Sequence, residues 1–156
     1  MVRASNPNPK RMAELVMADW AKVGVKANPV TFEWADYQKR AKAGELTAGI
    51  FGWSGDNGDP DNFLSPLLAS ANAGNSNFAR FKNAEFDALL DKAIGLTNKE
   101  ERAALYKQAQ VIFHDQAPWI PVAHSVGFAP LSPRVKGYEQ SPFGYDAFYG
   151  VSVDGK

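Results

Sequence analysis

The apolar run Ala48-Gly49-Ile50-Phe51-Gly52-Trp53 gives way at once to Ser54-Gly55-Asp56-Asn57-Gly58-Asp59-Pro60-Asp61-Asn62, in which only Pro60 is apolar. A run so short suits a buried strand better than a helix. The residues behind it are those whose φ preferences and side-chain-to-backbone hydrogen bonds make turns. A buried strand that empties into a polar, turn-rich loop is where open α/β sheets bind their ligands.

The flanking sequence supports the same class. Asn8-Pro9 reads as an N-cap and first helical residue. Met12, Leu15, Val16, Trp20 and Val23 follow at helical spacing, and Gly24 suits a left-handed end, so a helix is expected over about 9–23. Val25 to Phe32 is expected as a strand, and Pro29, which has no N–H, favours an edge position. A second helix is expected from Trp34 to Ala43, stopping at Gly44. Helix, strand, helix, strand is the order of a crossover unit with a parallel strand pair.

Downstream, Asp61 or Asn62 is placed to cap a short helix through Phe63, Leu64, Leu67 and Leu68, and Ala71–Asn77 reads as a mobile loop. Asn83 opens a helix with Phe86, Leu89, Leu90, Ala93 and Ile94 on one face. Thr97-Asn98-Lys99-Glu100 fits a capping box, with Thr97 as the cap. The helix behind it carries Leu105, Ala109, Ile112 and Phe113 and ends before Pro118. Trp119–Ala123 and Ser125–Ala129 are expected as short strands. From Arg134 onward no period is legible. Tyr138, Phe143, Tyr145, Phe148 and Tyr149 suggest a segment that packs on another part of a larger body.

Composition narrows the function. With 156 residues, 45% apolar and 22% charged, the chain is of ordinary domain size and expected to bury about 68–70% of its unfolded surface. Seventeen basic and 17 acidic side chains give a net charge of zero, which argues against nucleic acid and anionic membrane surfaces as partners. No apolar run approaches the ~20 residues of a bilayer crossing. The absence of cysteine removes disulfides, thiol catalysis and thiolate metal sites. Met1 to Lys10 holds no apolar core of a signal peptide, so none is expected within this chain.

No nucleophile elbow, phosphate loop or dinucleotide fingerprint is present. His114 and His124 lack an evident third ligand for a metal site. Counted as an EF-hand from Asp56, the loop puts Pro60 and Leu67 at ligand positions, and counting from Asp59 fails as well. No cofactor and no metal are expected. What remains is capture of a cation: Asp56 offers carboxylate oxygens to an ammonium group at the mouth of a cleft. Turn aspartates also bond their own backbone. A hydrolase or metal-dependent enzyme built on Asp56, Asp59 and His124, and a ligand-free interaction domain, stand as alternatives.

The run Gly52-Trp53-Ser54-Gly55-Asp56-Asn57-Gly58-Asp59-Pro60-Asp61-Asn62-Phe63 resembles the signature loop of bacterial dipeptide-binding proteins, within family 5 of the extracellular solute-binding proteins of ABC importers. Asn6-Pro7-Asn8, Lys22-Val23-Gly24-Val25-Lys26, Tyr106-Lys107-Gln108-Ala109-Gln110 and His114-Asp115-Gln116-Ala117-Pro118 agree in order. The resemblance covers the C-terminal part of such a protein. It implies an α/β, type II periplasmic-binding-protein-like lobe: a small mixed sheet flanked by helices, with an irregular aromatic-rich tail. Residues 1–133 would form the ligand-binding lobe, and 134–156 a tail that returns to the other, N-terminal lobe, which is missing here.

By the same resemblance, the chain is not an enzyme but the substrate-binding component of a periplasmic importer. It would bind a dipeptide or small peptide between lobes and deliver it to an ABC permease in the inner membrane. Asp56 corresponds to the residue that pairs with the peptide's α-ammonium, and Arg3 to the one that takes its carboxylate. Trp53, Gly55 and Phe63 would line or support the cleft. Relatives in the family bind haem, glutathione, nickel complexes or longer peptides. With one lobe absent, weak binding and self-association of the chain are expected.

Overall fold

Five α-helices carry most of the regular structure in a computed structural model that describes residues 2–3, 7–143 and 145–155, with side chains from residue 9 onward. In chain order the elements are β1 (Val2–Arg3), α1 (Pro7–Lys22), β2 (Thr31–Phe32), α2 (Trp34–Ala43), α3 (Asp61–Leu68), a single 3-10 turn (Ser70–Asn72), α4 (Ala84–Ile94), α5 (Lys99–Gln116), β3 (Val135–Lys136) and β4 (Ser152–Val153).

A parallel crossover unit is present, one step earlier than expected. β1 and β2 pair in parallel, Val2 against Thr31 and Arg3 against Phe32, and α1 is the crossover between them. α1 begins at Pro7 rather than Pro9; a proline costs nothing at a helix start, where its N–H would have no partner. Gly24 takes φ +84°, and the Val25 N–H closes onto the Trp20 carbonyl at 2.9 Å, as the left-handed end requires. The strand expected over Val25–Phe32 shrinks to Thr31–Phe32. Ala48–Trp53 is not a strand among the described residues. The Tyr37 hydroxyl fastens it instead, donating to the Ile50 carbonyl at 3.1 Å, while Phe51 packs between the rings of Tyr37 (4.9 Å) and Phe78 (4.6 Å).

Tyr37 has no accessible surface, and burial pushes its pKa from 10.0 to about 12, against the lowering effect of its bond to Ile50. A raised phenol favours the folded state below pH 10.0, and that stabilisation is lost as the pH climbs through about 12. An alkaline absorbance titration is expected to show one tyrosine ionising late, together with loss of structure. Substituting Tyr37→Phe removes that late step.

The main core lies among α3, α4 and α5: Leu67, Leu68, Phe86, Leu90, Ala93, Leu105, Tyr106 and Ala109. Asn83 caps α4 as expected, its Oδ1 accepting the Phe86 N–H at 2.9 Å. The cap of α5 is Asn98, one residue past Thr97; its Oδ1 accepts the Glu101 N–H at 3.0 Å, so Glu100 is too close to reach back as a capping box needs. Ala117 at φ +44° and the following proline end α5. Ala71–Asn77 is a tied turn and not a mobile loop. Asn77, with no accessible surface, donates to the carbonyls of Leu68 (3.1 Å), Ala69 (3.2 Å) and Phe81 (2.9 Å) and accepts the Phe81 N–H (3.2 Å).

Beyond α5 the chain lies open. Neither Trp119–Ala123 nor Ser125–Ala129 is a strand, and Ile120, Val126 and Phe128 are 76%, 75% and 88% exposed. The tail forms the antiparallel pair β3–β4, with Val135 against Val153. Its aromatics partly find each other, Tyr138 near Phe148 at 6.2 Å and Phe143 on Tyr145 at 6.3 Å, yet Tyr149 is fully exposed. The total surface is 11367 Å², against about 7,700 Å² for a closed domain of this mass, so burial on folding is about 54% and not 68–70%. Exposed apolar side chains such as Ile120, Val126, Phe128 and Tyr149 contribute to the excess.

Candidate ligand-binding site

The loop of residues 54–62 is closed across its mouth by its own ends. Trp53 Nε1 donates to the Asn62 carbonyl at 2.9 Å. The Asp56 N–H donates to Asn62 Oδ1, also at 2.9 Å. Between these ties the Phe63 ring covers Gly55, so closely that a Cβ at Gly55 would lie 2.6 Å from the ring. Any side chain at position 55 pushes Phe63 aside and opens the loop. At the far turn Gly58 takes φ +71°, with the Phe143 ring of the tail against it.

The acids of the loop have separate fates. The cap of α3 is Pro60, with no side-chain cap, and not Asp61 or Asn62; Asp59 just before it accepts the Asp61 N–H on Oδ1 at 2.9 Å. It also receives a two-pronged ion pair from Arg102 of α5, Nη1 to Oδ2 at 2.6 Å and Nη2 to Oδ1 at 3.1 Å. Asp61 accepts from the Ser65 hydroxyl one turn along α3. Asp56 is exposed, and among the described residues nothing donates to its carboxylate. Its N–H is held, which fixes the backbone there, while the side chain is exposed. An alkylammonium group suits such an acceptor.

Partial desolvation pushes the Asp59 carboxyl up, but the Asp61 N–H, the Arg102 guanidinium and the Tyr106 hydroxyl together pull it below 3.8. A lowered carboxyl stabilises the fold above about that pH, and the stabilisation fades as the pH falls through the lower folded-state value. Thermal melts through the acid range are expected to show this loss in the natural sequence. In Asp59→Asn the loss should be smaller.

Trp53, at 46% exposure, and Phe63, at 40%, are not core residues; Trp53 ties the loop to Asn62 and Phe63 packs on Gly55. Arg3 sits in β1 against Phe32, and its side chain lies outside the described residues. An enzyme reading that spends Asp59 as acid or ligand meets a carboxylate already held by Arg102, while His124 is exposed on the open segment after α5. Among the described residues no cluster of His, Asp and Glu is arranged to hold a metal ion. Arg102, Asn62 and Tyr106 were missed by reading the sequence. One signal was there: Arg102 stands one turn ahead of the apolar Leu105 and Tyr106, where an unpaired charge would be costly.

The model of bacterial extracellular solute-binding proteins, family 5, middle region, matches residues 1–75. Haem-binding protein A of Haemophilus influenzae is 87% identical over all 156 residues, and the chain spans 28% of that protein. The chain belongs to family 5 of the bacterial extracellular solute-binding proteins. The dipeptide-binding protein of Escherichia coli is 48% identical over 153 residues, which are 97% of this chain and 29% of that one. A crystal structure of a dipeptide-binding protein from Pseudoalteromonas in complex with Met-Leu superposes with a TM-score of 0.85 at 36% identity, covering 98% of this chain and 32% of its own. The fold is therefore that of a lobe portion of a family 5 binding protein, and the chain spans less than a third of the length of the relatives it matches.

Proposed function

We propose that this chain supplies the amine-gripping wall of a periplasmic binding protein that carries small zwitterionic peptides, unchanged, to an ABC permease. Asp56 pairs with the peptide's α-ammonium, Arg3 takes its carboxylate, and Trp53, Gly55 and Phe63 shape the wall. A charge at each end reads any dipeptide while ignoring its side chains. The observation that carries this reading is the exposed Asp56 side chain, on a backbone fixed through its own N–H and with no donor to its carboxylate among the described residues. The 48% identical dipeptide-binding relative and the Met-Leu complex support it. The open apolar surface of 119–133 and Tyr149 supports a tail over 134–156 that meets the rest of a longer protein.

A second reading rests on the 87% identical haem-binding relative: the same wall would take a haem, a large apolar ring with acidic tails. The two separate in one experiment. This chain is set in place of the matching 156 residues of the Haemophilus relative, and binding of a dipeptide, its N-acetylated form and haem is measured by calorimetry. The peptide reading expects the free amine to bind at least about tenfold more tightly than the acetylated form. Equal affinity for the two peptides, or tight binding of haem alone, overturns it.

A further inference from the structure

Arg102 lies on α5, 43 residues beyond Asp59, yet it is the point where the helical core meets the loop. Its guanidinium engages every neighbour it faces. Nη1 and Nη2 clasp Asp59 at 2.6 and 3.1 Å, Nε donates to the Ala93 carbonyl in the last turn of α4 at 3.0 Å, and Nη2 reaches the Tyr106 hydroxyl at 2.9 Å. The bonds then run on. Asp59 Oδ1 accepts the Asp61 N–H, Asn62 follows in the first turn of α3, and Asn62 holds the Asp56 N–H by its side chain and the Trp53 indole by its carbonyl. The loop that carries Asp56 is thus tied to the α4–α5 pair by Arg102, in addition to the packing of Leu67 and Leu68 of α3. That cation also offsets the charge of Asp59, and Asp61 is engaged by the Ser65 hydroxyl, so Asp56 is the loop acid whose carboxylate has no donor among the described residues.

We propose that Arg102 is a positioning residue for ligand amine recognition: it fixes the loop that aims Asp56 without touching the ligand. This rests on the reading of Asp56 as the ammonium partner. Lysine at 102 does not replace it, since one ammonium cannot present the planar fork that serves Asp59, Ala93 and Tyr106 together.

The test has two arms. In this chain, the amide resonance of Asp56 and the indole resonance of Trp53 are followed in Arg102→Met, Arg102→Lys and Asp59→Asn. Both resonances are expected to shift and broaden in all three variants, while the amides of Leu105 and Ala109 stay in place. In the full-length chimaera described above, the preference for a free over an N-acetylated dipeptide is expected to fall about tenfold or more in Arg102→Met, without recovery in Arg102→Lys. A merely structural defect weakens both peptides alike and leaves their ratio unchanged. If Arg102→Met does not fold, Asp59→Asn removes the same clasp from the loop side and decides. Unmoved loop resonances, an unchanged ratio, or full rescue by lysine overturns the role of Arg102. If the natural sequence shows no amine preference, the ammonium reading falls and with it the aim of this role, while the resonance arm still decides whether Arg102 sets the loop.

Discussion

Replacing Asp56 with asparagine in the full-length chimaera is expected to weaken dipeptide binding by about 1.5–3 kcal/mol, or roughly 10- to 150-fold, the worth of a hydrogen bond to a charged group. The amide keeps the size of the side chain and leaves the Asp56 N–H on Asn62, so loop geometry is preserved. What is lost is the charge that meets the ammonium. An N-acetylated dipeptide has no such charge, and its affinity should be unaffected. Raising the salt concentration should narrow the gap between natural sequence and variant, because the contact sits on an exposed carboxylate. Calorimetry on both proteins with both peptides checks this, and equal losses for the two peptides would mean that Asp56 shapes the wall instead of gripping the amine.

The largest effect on stability is expected at Asn77→Asp. The amide nitrogen of Asn77 faces the carbonyls of Leu68, Ala69 and Phe81 with no accessible surface. Aspartate has nearly the same shape, but it replaces that donor with an acceptor and brings a charge. Three carbonyl oxygens would then face a buried anion, and the expected cost is about 3–5 kcal/mol at neutral pH, comparable to a broken buried ion pair. Acid should relieve the penalty, since a protonated carboxyl again offers a donor. The contrasting variant Asn83→Ala, which removes only the exposed-side cap of α4, should cost about 1 kcal/mol. Denaturant melts of both variants at neutral and acid pH separate the two effects.

Helix positions were legible because their signals are local. The stripe of Phe86, Leu90 and Ala93 faces the core, and Asn83, Gly24 and Gly44 end or begin helices at or beside their expected places. Local chemistry erred where neighbours compete for one task, as Asn98 displaces Thr97, and at the start of α1, which begins at Pro7 and not Pro9. Strands fared worse for a physical reason. A strand exists only if another chain segment takes its hydrogen bonds. Ser125–Ala129 has strand-like composition and no described strand beside it.

The candidate site divides along the same line. Asp56 stood out from its place behind the apolar run, Gly55 and Trp53 through the resemblance of the loop to its family, and the close approach of Phe63 gives Gly55 its reason. What engages the other loop acids was not legible. Asp59 is held by Arg102, which reaches it across 43 residues of chain. By itself the sequence determined the helices, their ends and an acidic turn, since each follows from residues a few positions apart. Tertiary structure alone decided that Asp59 is offset by Arg102 while Asp56 is left with no donor to its carboxylate among the described residues, because charges pair by distance in space and not by distance along the chain.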